Sequence, residues 1–385
     1  MQIVKEIAER PAVRAALEML REDLADTVAL IERIQQVPAP TFAEGPRSDL
    51  VEQEFADLGL QDIWRDELHN VYGRMPGRSS SGRAVVVSAH LDTVFPAGSD
   101  LTVTRENGRV HGPGIADNSA GVGSMLAIID CLRHFELQPE QDVWFVANVG
   151  EEGLGDLNGM RAVVAHFGEG PRYIVLEGGL FGQILHRAIA VQRFTITVET
   201  GGGHSWKNFG RPSAIHVLGQ LIAAISDLIV PVKPFTTFNV GLIEGGTSIN
   251  TIAPSATMWL DLRSEDNVAL AEVLKQVKRL VHDADNGDDV RVHLRQIGDR
   301  PAGEIPVETP LVQMAAAALQ AVGLQQANFT CGSTDANIPL SRGYEAVCIG
   351  LTKAENVHRL DEYMETSLLA RGLGQLLLLL LAAAS

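Results

Sequence analysis

Cysteine is scarce in this chain of 385 residues, which contains only Cys131, Cys331 and Cys348. They are odd in number, lie far apart and form no CxxC pair. A disulfide framework or a thiolate zinc site is therefore not expected. A reducing cytoplasmic compartment fits this pattern best.

Basic residues are also few, with 31 Lys and Arg against 48 Asp and Glu and a formal charge of −17. This acid excess argues against nucleic acid as a partner, because phosphate backbones are held by clustered Lys and Arg. Long apolar runs are missing too. The first 20 residues carry charges throughout, unlike a secretory signal, and the run from Leu376 to Ala384 is about half of the ~20 residues that span a membrane. We expect no membrane contact and a last core helix there.

The chain has enough apolar residues, 45%, to fold into a compact core. Helical spacing predicts helices over 12–36 and 46–58. Short unbroken apolar runs alternate with helical stretches at 84–90, 142–149, 172–177 and 345–351. Runs of this kind are typical of strands buried on both faces, so we predict an open, mostly parallel α/β sheet with helices on both faces.

The middle of the chain follows a different order. Residues 187–298 predict strand, helix, two strands, helix and strand, which is a complete βαββαβ ferredoxin-like unit. The strand-helix alternation of the first kind resumes after this segment. We therefore predict a larger domain of residues 1–186 and 299–385 that is interrupted by a small inserted domain.

Ionisable side chains follow each of the four buried strands. Ligands of open α/β sheets bind at the carboxyl ends of the strands, so these side chains are expected to converge on one edge. They are His90 and Asp92 in HLDTV, Glu151 and Glu152 in GEEGLG, Glu177, and His358. Asp117, in a glycine-rich turn that opens a helix, belongs with them.

Histidine nitrogens and carboxylate oxygens without sulfur suit Zn²⁺, Co²⁺ or Mn²⁺. The groups are too many for one tetrahedral ion, so they indicate two ions that share a carboxylate. His90 and Asp92 project to the same side of a strand end, where the Asp92 carboxylate can accept the second N–H of His90. The neighbours Glu151 and Glu152 cannot both point at one atom, so one is expected to bind metal and the other to transfer protons.

HLDTV, GIADNSAG, GEEGLG, Glu177 and NVHRLDE, with a ferredoxin-like insert between the last two, resemble the co-catalytic zinc family of peptidase T, aminoacylase and glutamate carboxypeptidase. The resemblance implies two Zn²⁺ ions, with Co²⁺ or Mn²⁺ as substitutes, and Asp117 as the bridging ligand. It implies His90 and Glu177 on one ion and Glu152 and His358 on the other. It also implies Glu151 as the general base, Asp92 as a further catalytic residue, and a cis peptide between Asp117 and Asn118.

The same resemblance extends to the insert, which in this family forms a lid and a dimer contact. It implies six substrate-binding residues, namely His204, Asn250, Arg263, Arg300, Gly332 and Thr334. His204 matches a lid histidine that reaches the partner's site in dimeric members. Here Trp206, Lys207 and Phe209 follow it, where the family usually has small residues and a proline-bearing loop.

The activity implied is hydrolysis of a peptide or amide bond next to a free terminus of a small peptide, by metal-activated water with Glu151 as base. An N-acyl amino acid deacylase with the same centre is the alternative. Two other classes stay open: a metal-binding scaffold without catalysis, and a serine hydrolase that uses Ser205 in GHSWK. That segment lacks the second glycine of a nucleophile elbow.

Overall fold

The computed structural model describes residues 2–79 and 81–385. In chain order, the helices of this part are α1 (Gln2–Glu9), α2 (Pro11–Glu22), α3 (Leu24–Gln35), α4 (Gly45–Asp57), α5 (Gly121–His134), α6 (Asn158–Phe167), α7 (Ala214–Ser226), α8 (Asn267–Ala284), α9 (Pro310–Ala321), α10 (Asn337–Ser341) and α11 (Leu369–Ala383). Short helical turns lie at Ile115–Ala120 and Gly153–Gly155.

The strands of the described residues are β1 (Gln61–Arg65), β2 (Val71–Met75), β3 (Val85–His90), β4 (Thr104–Glu106), β5 (Arg109–His111), β6 (Val143–Asn148), β7 (Arg172–Glu177), β8 (Gln183–Ala188), β9 (Ala190–Thr200), β10 (Gly203–His204), β11 (Thr236–Gly245), β12 (Thr251–Ile252), β13 (Ser255–Ser264), β14 (Val290–Arg300), β15 (Gly303–Glu304), β16 (Asn328–Gly332), β17 (Ala346–Gly350), β18 (Ala354–Glu355) and β19 (Tyr363–Glu365).

Contacts divide the chain into two units. The larger unit contains the chain up to Ala188 together with Glu304–Ser385, and the smaller unit is Ile189–Gly303. The sequence prediction placed the insert at 187–298. Its C-terminal bound differs because β14 does not end near Gly298. The strand passes through a bulge between Gln296 and Gly298 and continues to Arg300.

The larger unit is built on a sheet in the order β1-β2-β6-β3-β7-β17-β8-β15, with β16 beside β8. Its four central strands, β6, β3, β7 and β17, are parallel. Every residue of β3 is buried, as its unbroken apolar run predicts. This confirms the predicted α/β sheet and brings the carboxyl ends of the four strands to one edge.

Three helical segments bear on what the sequence predicts. The helix predicted over 12–36 is split into α2 and α3 at Asp23, a residue type with weak helix propensity. The C-terminal leucine run lies in α11 and is buried, as expected for a core helix. The stretch Ile115–His134 is long and apolar enough to cross a membrane, and 83% of its apolar window is buried inside the structure.

The smaller unit has a two-stranded antiparallel sheet, β10-β12, and a four-stranded antiparallel sheet in the order β11-β13-β9-β14. Helices α7 and α8 pack on it through buried side chains that include Leu218 and Val277. With its βαββαβ chain order, this arrangement is the ferredoxin-like fold. The unit has its own core, separate from that of the larger unit.

Gly372→Ala should destabilise the protein, because a Cβ at this position would lie 1.9 Å from the carbonyl oxygen of Leu351. Backbone at the end of β17 cannot turn aside as a side chain can, and overpacking of this kind costs about 1–3 kcal/mol. Gly374→Ala, in the same helix, is the matched control. Its Cβ would meet only methyl groups of Val322 and Leu17, at 3.0 and 3.1 Å.

Both substitutions gain similar helix propensity, about 1 kcal/mol relative to glycine. Urea unfolding should therefore give a lower midpoint for Gly372→Ala than for Gly374→Ala. Equal midpoints would show that α11 does not approach the Leu351 backbone as closely as the structure has it.

Candidate active site

The predicted ionisable side chains meet at the carboxyl edge of the central parallel strands. His90 is the last residue of β3 and Glu177 the last of β7. Glu151 and Glu152 follow β6, and His358 lies in the loop after β18. The strand order β6-β3-β7-β17 places these four strand ends next to one another.

Two groups of possible metal ligands form there and share Asp117. In the first group, His90 Nε2 lies 3.1 Å from Asp117 Oδ1 and 3.9 Å from Glu177 Oε2. In the second, His358 Nε2 lies 3.1 Å from both Asp117 Oδ2 and Glu152 Oε1. Within each group the ligand atoms lie within 4.8 Å of one another. The two oxygens of Asp117 therefore face different histidines.

The residues present fit a divalent cation. His90 is 1% exposed, and its Nε2 has no hydrogen-bond partner among the described residues although Asp117 Oδ1 is near. Ligands at 2.0–2.1 Å from a tetrahedral Zn²⁺ lie about 3.3 Å apart, close to the 3.1 Å between each histidine nitrogen and Asp117. An unpartnered imidazole nitrogen surrounded by carboxylate oxygens is the donor set of a metal site.

The orientation of His90 is set on its other side. Its Nδ1 lies 3.1 Å from the backbone oxygen of Asp92 and 3.5 Å from the Asp92 carboxylate. The sequence prediction gave this contact to the carboxylate, but the nearer acceptor is the carbonyl. A proton on Nδ1 leaves the lone pair of Nε2 directed at the site.

The Asp92 carboxylate has another role, which is to hold the glutamate turn. Oδ1 accepts the backbone N–H of Glu151, and Oδ2 accepts that of Glu152, both at 2.9 Å. Oδ2 also accepts the hydroxyl of Thr41 at 2.9 Å. Burial raises the pKa of Asp92, but contact with His90 and these N–H groups outweighs it and lowers the pKa below its usual value. Asp92 is thus a buried anion that positions both glutamates.

The two glutamates occupy different positions. Each is 6% exposed, but only Glu152 belongs to a ligand group. Burial raises the pKa of Glu152 to about 7, with the charges of Asp117 and Glu151 adding to it. The charge of Glu151 acts on Glu152 in one group and on Glu177 in the other, so Glu151 lies close to both groups. Gly150 before the two glutamates has φ +66, in the left-handed region that favours glycine.

The charges of the histidines follow from this crowding of carboxylates. Burial lowers the pKa of His90, but contacts with Asp117 and Asp92 raise it well above its usual value. Contacts with Asp117 and Glu152 raise the pKa of His358 to about 10. Burial likewise raises the pKa of Glu177 well above its usual value. The site holds protons tightly in the absence of another cation, which is the electrostatic condition for divalent metal binding.

The turn that carries Asp117 has the backbone that the resemblance implies. The Asp117–Asn118 peptide is cis. The Asn118 side chain donates to the Leu176 carbonyl at 2.8 Å and accepts the N–H of Gly121 at 3.1 Å. These bonds connect the turn to the end of β7 and to the start of α5.

Two buried acids near the site were not singled out from the sequence. Glu362 accepts the backbone N–H groups of Ala116 and Asp117. Asp335, 1% exposed, accepts the side-chain N–H of Asn148 at 2.7 Å. Burial and the neighbouring charge of Glu151 raise the pKa of Asp335 to about 7. Two features of the sequence could have pointed to these acids. Glu362 lies four residues after His358, and Asp335 is the acid of the segment CGSTDA.

The predicted substrate-binding residues fall in both units. In the larger unit, Gly332 ends β16 and Thr334 is buried next to Asp335. In the smaller unit, His204 and Asn250 are exposed neighbours, because β10 pairs with β12 and the N–H of Ser205 donates to the Asn250 carbonyl.

The two predicted arginines differ in accessibility. Arg263 is exposed and pairs with Asp261 at 2.7 Å, whereas Arg300 is only 5% exposed. Of the two, Arg263 is the better placed to meet a ligand from solvent.

Comparison with known proteins agrees with this geometry. The chain matches peptidase family M20/M25/M40 over residues 86–382. A succinyl-diaminopimelate desuccinylase of Corynebacterium glutamicum is 25% identical over 353 residues, which are 88% of this chain and 92% of that protein. An acetylornithine deacetylase of Edwardsiella ictaluri is 23% identical over 81% of this chain and 84% of that protein.

Among solved structures, a tripeptidase from Staphylococcus aureus has the same fold, with a TM-score of 0.80 at 21% identity over 94% of this chain and 98% of that chain. The family match covers well over half of the sequence and includes all seven residues at the sheet edge. The chain therefore belongs to peptidase family M20/M25/M40 and is a hydrolase of that family.

Proposed function

We propose that the protein is a di-zinc exopeptidase that hydrolyses a peptide bond next to a free terminus of a small peptide, as a di- or tripeptidase or a carboxypeptidase. The observation that carries this proposal is the position of Asp117, whose two oxygens each lie 3.1 Å from a different histidine nitrogen. A carboxylate so placed can bridge two cations. The proposed ligands are His90, Asp117 and Glu177 on one side and Asp117, Glu152 and His358 on the other.

Glu151 is the proposed proton carrier. Divalent cations, when bound, would supply a water of lowered pKa and polarise the substrate carbonyl. The Glu151 carboxylate would take a proton from the attacking water as its oxygen bonds to the carbonyl carbon, and would donate that proton to the amine nitrogen as the C–N bond breaks. The bond from its N–H to Asp92 fixes the backbone from which the side chain extends.

The smaller unit supplies the proposed contacts to the rest of the substrate. Asn250 and His204 would bind the developing oxyanion, and Arg263 and Arg300 the substrate carboxylate. Gly332 and Thr334 would line the pocket from the larger unit. Exposure of His204, Asn250 and Arg263 supports these assignments, since a substrate could reach them.

The proposal extends to assembly and location. A homodimer through the smaller unit is supported by its edge strand β11, where Leu242 and Ile243 are half exposed. Whether His204 acts across such a dimer is part of the same proposal. A cytoplasmic location is supported by the three cysteines, which are all free thiols.

A deacylase acting on N-acyl amino acids is the second candidate. It is favoured by the relatives named desuccinylase and deacetylase, which match over most of their length. The same ligands and the same base serve both reactions, because each is the hydrolysis of an amide. The two candidates differ only in the group on the carbonyl side of the bond.

Glu151→Gln should lower kcat by about three orders of magnitude or more, because the amide cannot accept the proton of water. The bound metal should remain, since Glu151 lies outside both ligand groups. Metal analysis and steady-state kinetics measure the two effects. Glu169→Gln, at an exposed position, is the matched control. Comparable activity in Glu151→Gln would refute its role as base.

Chelation should abolish hydrolysis, and Zn²⁺, Co²⁺ or Mn²⁺ should restore it. A panel of di- and tripeptides against acetyl-, succinyl- and carbamoyl-amino acids, run with the same enzyme, decides between the two candidates. Activity that survives chelation and is lost in Ser205→Ala would instead indicate a serine hydrolase. Metal binding without turnover of any substrate would indicate a non-catalytic scaffold.

The metal-free protein should become less stable between about pH 5 and pH 8. Burial raises the pKa of Glu152, Asp335 and Glu362 to about 7, above the ~4 of an unfolded chain. The folded state then binds more protons than the unfolded state, so the free energy of unfolding falls as pH rises through this range.

Zn²⁺ competes with protons for this site, so saturating Zn²⁺ should remove or reverse that slope. Calorimetry of the metal-free and the metal-loaded protein across the range measures it. A Tm that rises with pH in the metal-free protein would contradict the shared direction of these three pKa shifts.

A further inference from the structure

Glu362 holds the turn that presents Asp117. Its Oε1 accepts the N–H of Ala116 at 2.9 Å and the N–H of Asp117 at 3.0 Å. Glu362 lies 246 positions after Ala116 and 245 after Asp117, so these bonds join two distant parts of the chain. Glu362 is fully buried, so solvent does not compete for these bonds.

The same residue ends the loop that presents His358. The N–H of Glu362 donates to the Arg359 carbonyl at 3.1 Å, and the N–H of Arg359 donates to Asn356 at 3.0 Å. The Asn356 side-chain amide donates to the Asp361 carboxylate at 3.0 Å and so connects the two ends of the loop. In contrast, the His358 side chain is 51% exposed, so little packing holds it. Its position is therefore set by its loop, whose buried end is Glu362.

Burial of this carboxyl group is costly. Its Oε2 is shielded from solvent as well, and removing a carboxyl group from water costs free energy unless hydrogen bonds compensate for it. An apolar side chain of similar volume would avoid that cost but could not accept the two N–H groups. A carboxyl group at position 362 is therefore explained by the geometry that its hydrogen bonds give the site, and not by a contribution to the stability of the fold.

Asp92 offers a direct parallel in the same site. It too is a buried carboxylate that accepts two consecutive backbone N–H groups, those of Glu151 and Glu152. Asp92 thus holds the turn that carries the proposed base Glu151 and the proposed ligand Glu152. Glu362 holds the turn that carries the shared ligand Asp117. The two contacts lie on different loops and use the same chemistry.

We propose that Glu362 is a positioning residue that sets Asp117 and His358 at the separation a divalent cation requires, by joining the turn of the first to the loop of the second. The inference rests on the proposed function for the presence of the cation. Residues that orient a metal ligand without binding the ion themselves typically contribute about 10- to 100-fold to metal affinity.

Three variants test the proposal: Glu362→Ala removes the acceptor, Glu362→Asp withdraws it by one methylene, and Glu362→Gln keeps a carbonyl oxygen at the same reach. Glu365→Ala, on strand β19 and outside the site, is the matched control. Co²⁺ titration followed by the visible absorption of the bound ion measures affinity and ligand geometry. Hydrogen exchange of the metal-free protein measures the protection of the amides of Ala116 and Asp117.

Glu362→Ala should bind Co²⁺ about 10- to 100-fold more weakly with an altered spectrum, and the 116–117 amides should exchange faster while the rest of the protein does not. Glu362→Asp should resemble it, and Glu362→Gln should stay within about threefold of the unmodified protein. Glu365→Ala should match the unmodified protein in every measurement.

Unchanged affinity and spectrum in Glu362→Ala would overturn the proposal, and so would a Glu362→Gln variant as weak as Glu362→Ala. If Glu362→Ala fails to fold, the comparison of Glu362→Asp with Glu362→Gln decides it by the same criterion. Failure of the proposed function has a different signature, because then the unmodified protein itself binds no Co²⁺ at this site.

Discussion

The carboxylate of Asp117 lies between His90 and His358, and the organisation of the site depends on this contact. Five carboxyl groups and two histidines converge there, and no lysine or arginine approaches the ligand atoms in the contacts of the described residues. Anions packed this closely in a buried setting bind protons or metal ions. The raised pKa values of both histidines, with Asp117 as a main cause, are the electrostatic measure of that demand. A cation of higher charge meets the same demand without protonating the ligands.

Backbone hydrogen bonding converts this crowding into geometry. The parallel strands bring His90 and Glu177 to one edge, but the other ionisable groups sit on loops, where side chains would otherwise be mobile. Asp92 fixes one loop through two N–H groups, and Glu362 fixes another in the same way. Both acids are buried, and removing a carboxylate from water is costly unless hydrogen bonds or opposite charges compensate for it. This desolvation cost falls at positions where a displacement of about an ångström would move the proposed metal ligands out of reach of one another.

The sequence predicted the parts of the site that depend on local pattern. His90, Asp92 and Glu177 stand at the ends of apolar runs, so strand periodicity alone placed them at the sheet edge. The division of the ligands into two groups followed from the family resemblance, and the structure forms the same two groups. Glu362 and Asp335 were missed because their roles exist only through contacts 187 to 246 residues away in sequence. The bulge that carries β14 past Gly298 and the burial of Arg300 depend on pairing and packing in the insert, which a glycine-rich segment does not reveal.

Relatives with a similar sequence or fold carry names that point to different amide substrates. Relatives named as desuccinylase and deacetylase belong with this chain, and a tripeptidase shares its fold. Removal of an acyl group and hydrolysis of a peptide both break an amide bond, so groups that act on that bond alone do not select between the two substrates. Discrimination by apolar contact alone is weak, whereas a polar group that must be paired rejects a poor substrate strongly. The loops with His204 and Asn250 combine such polar groups with the exposed rings of Trp206 and Phe209, at 86% and 91% exposure. Because these aromatic residues stand where the resembled family usually has small residues, the smaller unit presents an apolar surface on this loop beside the polar groups of His204 and Asn250.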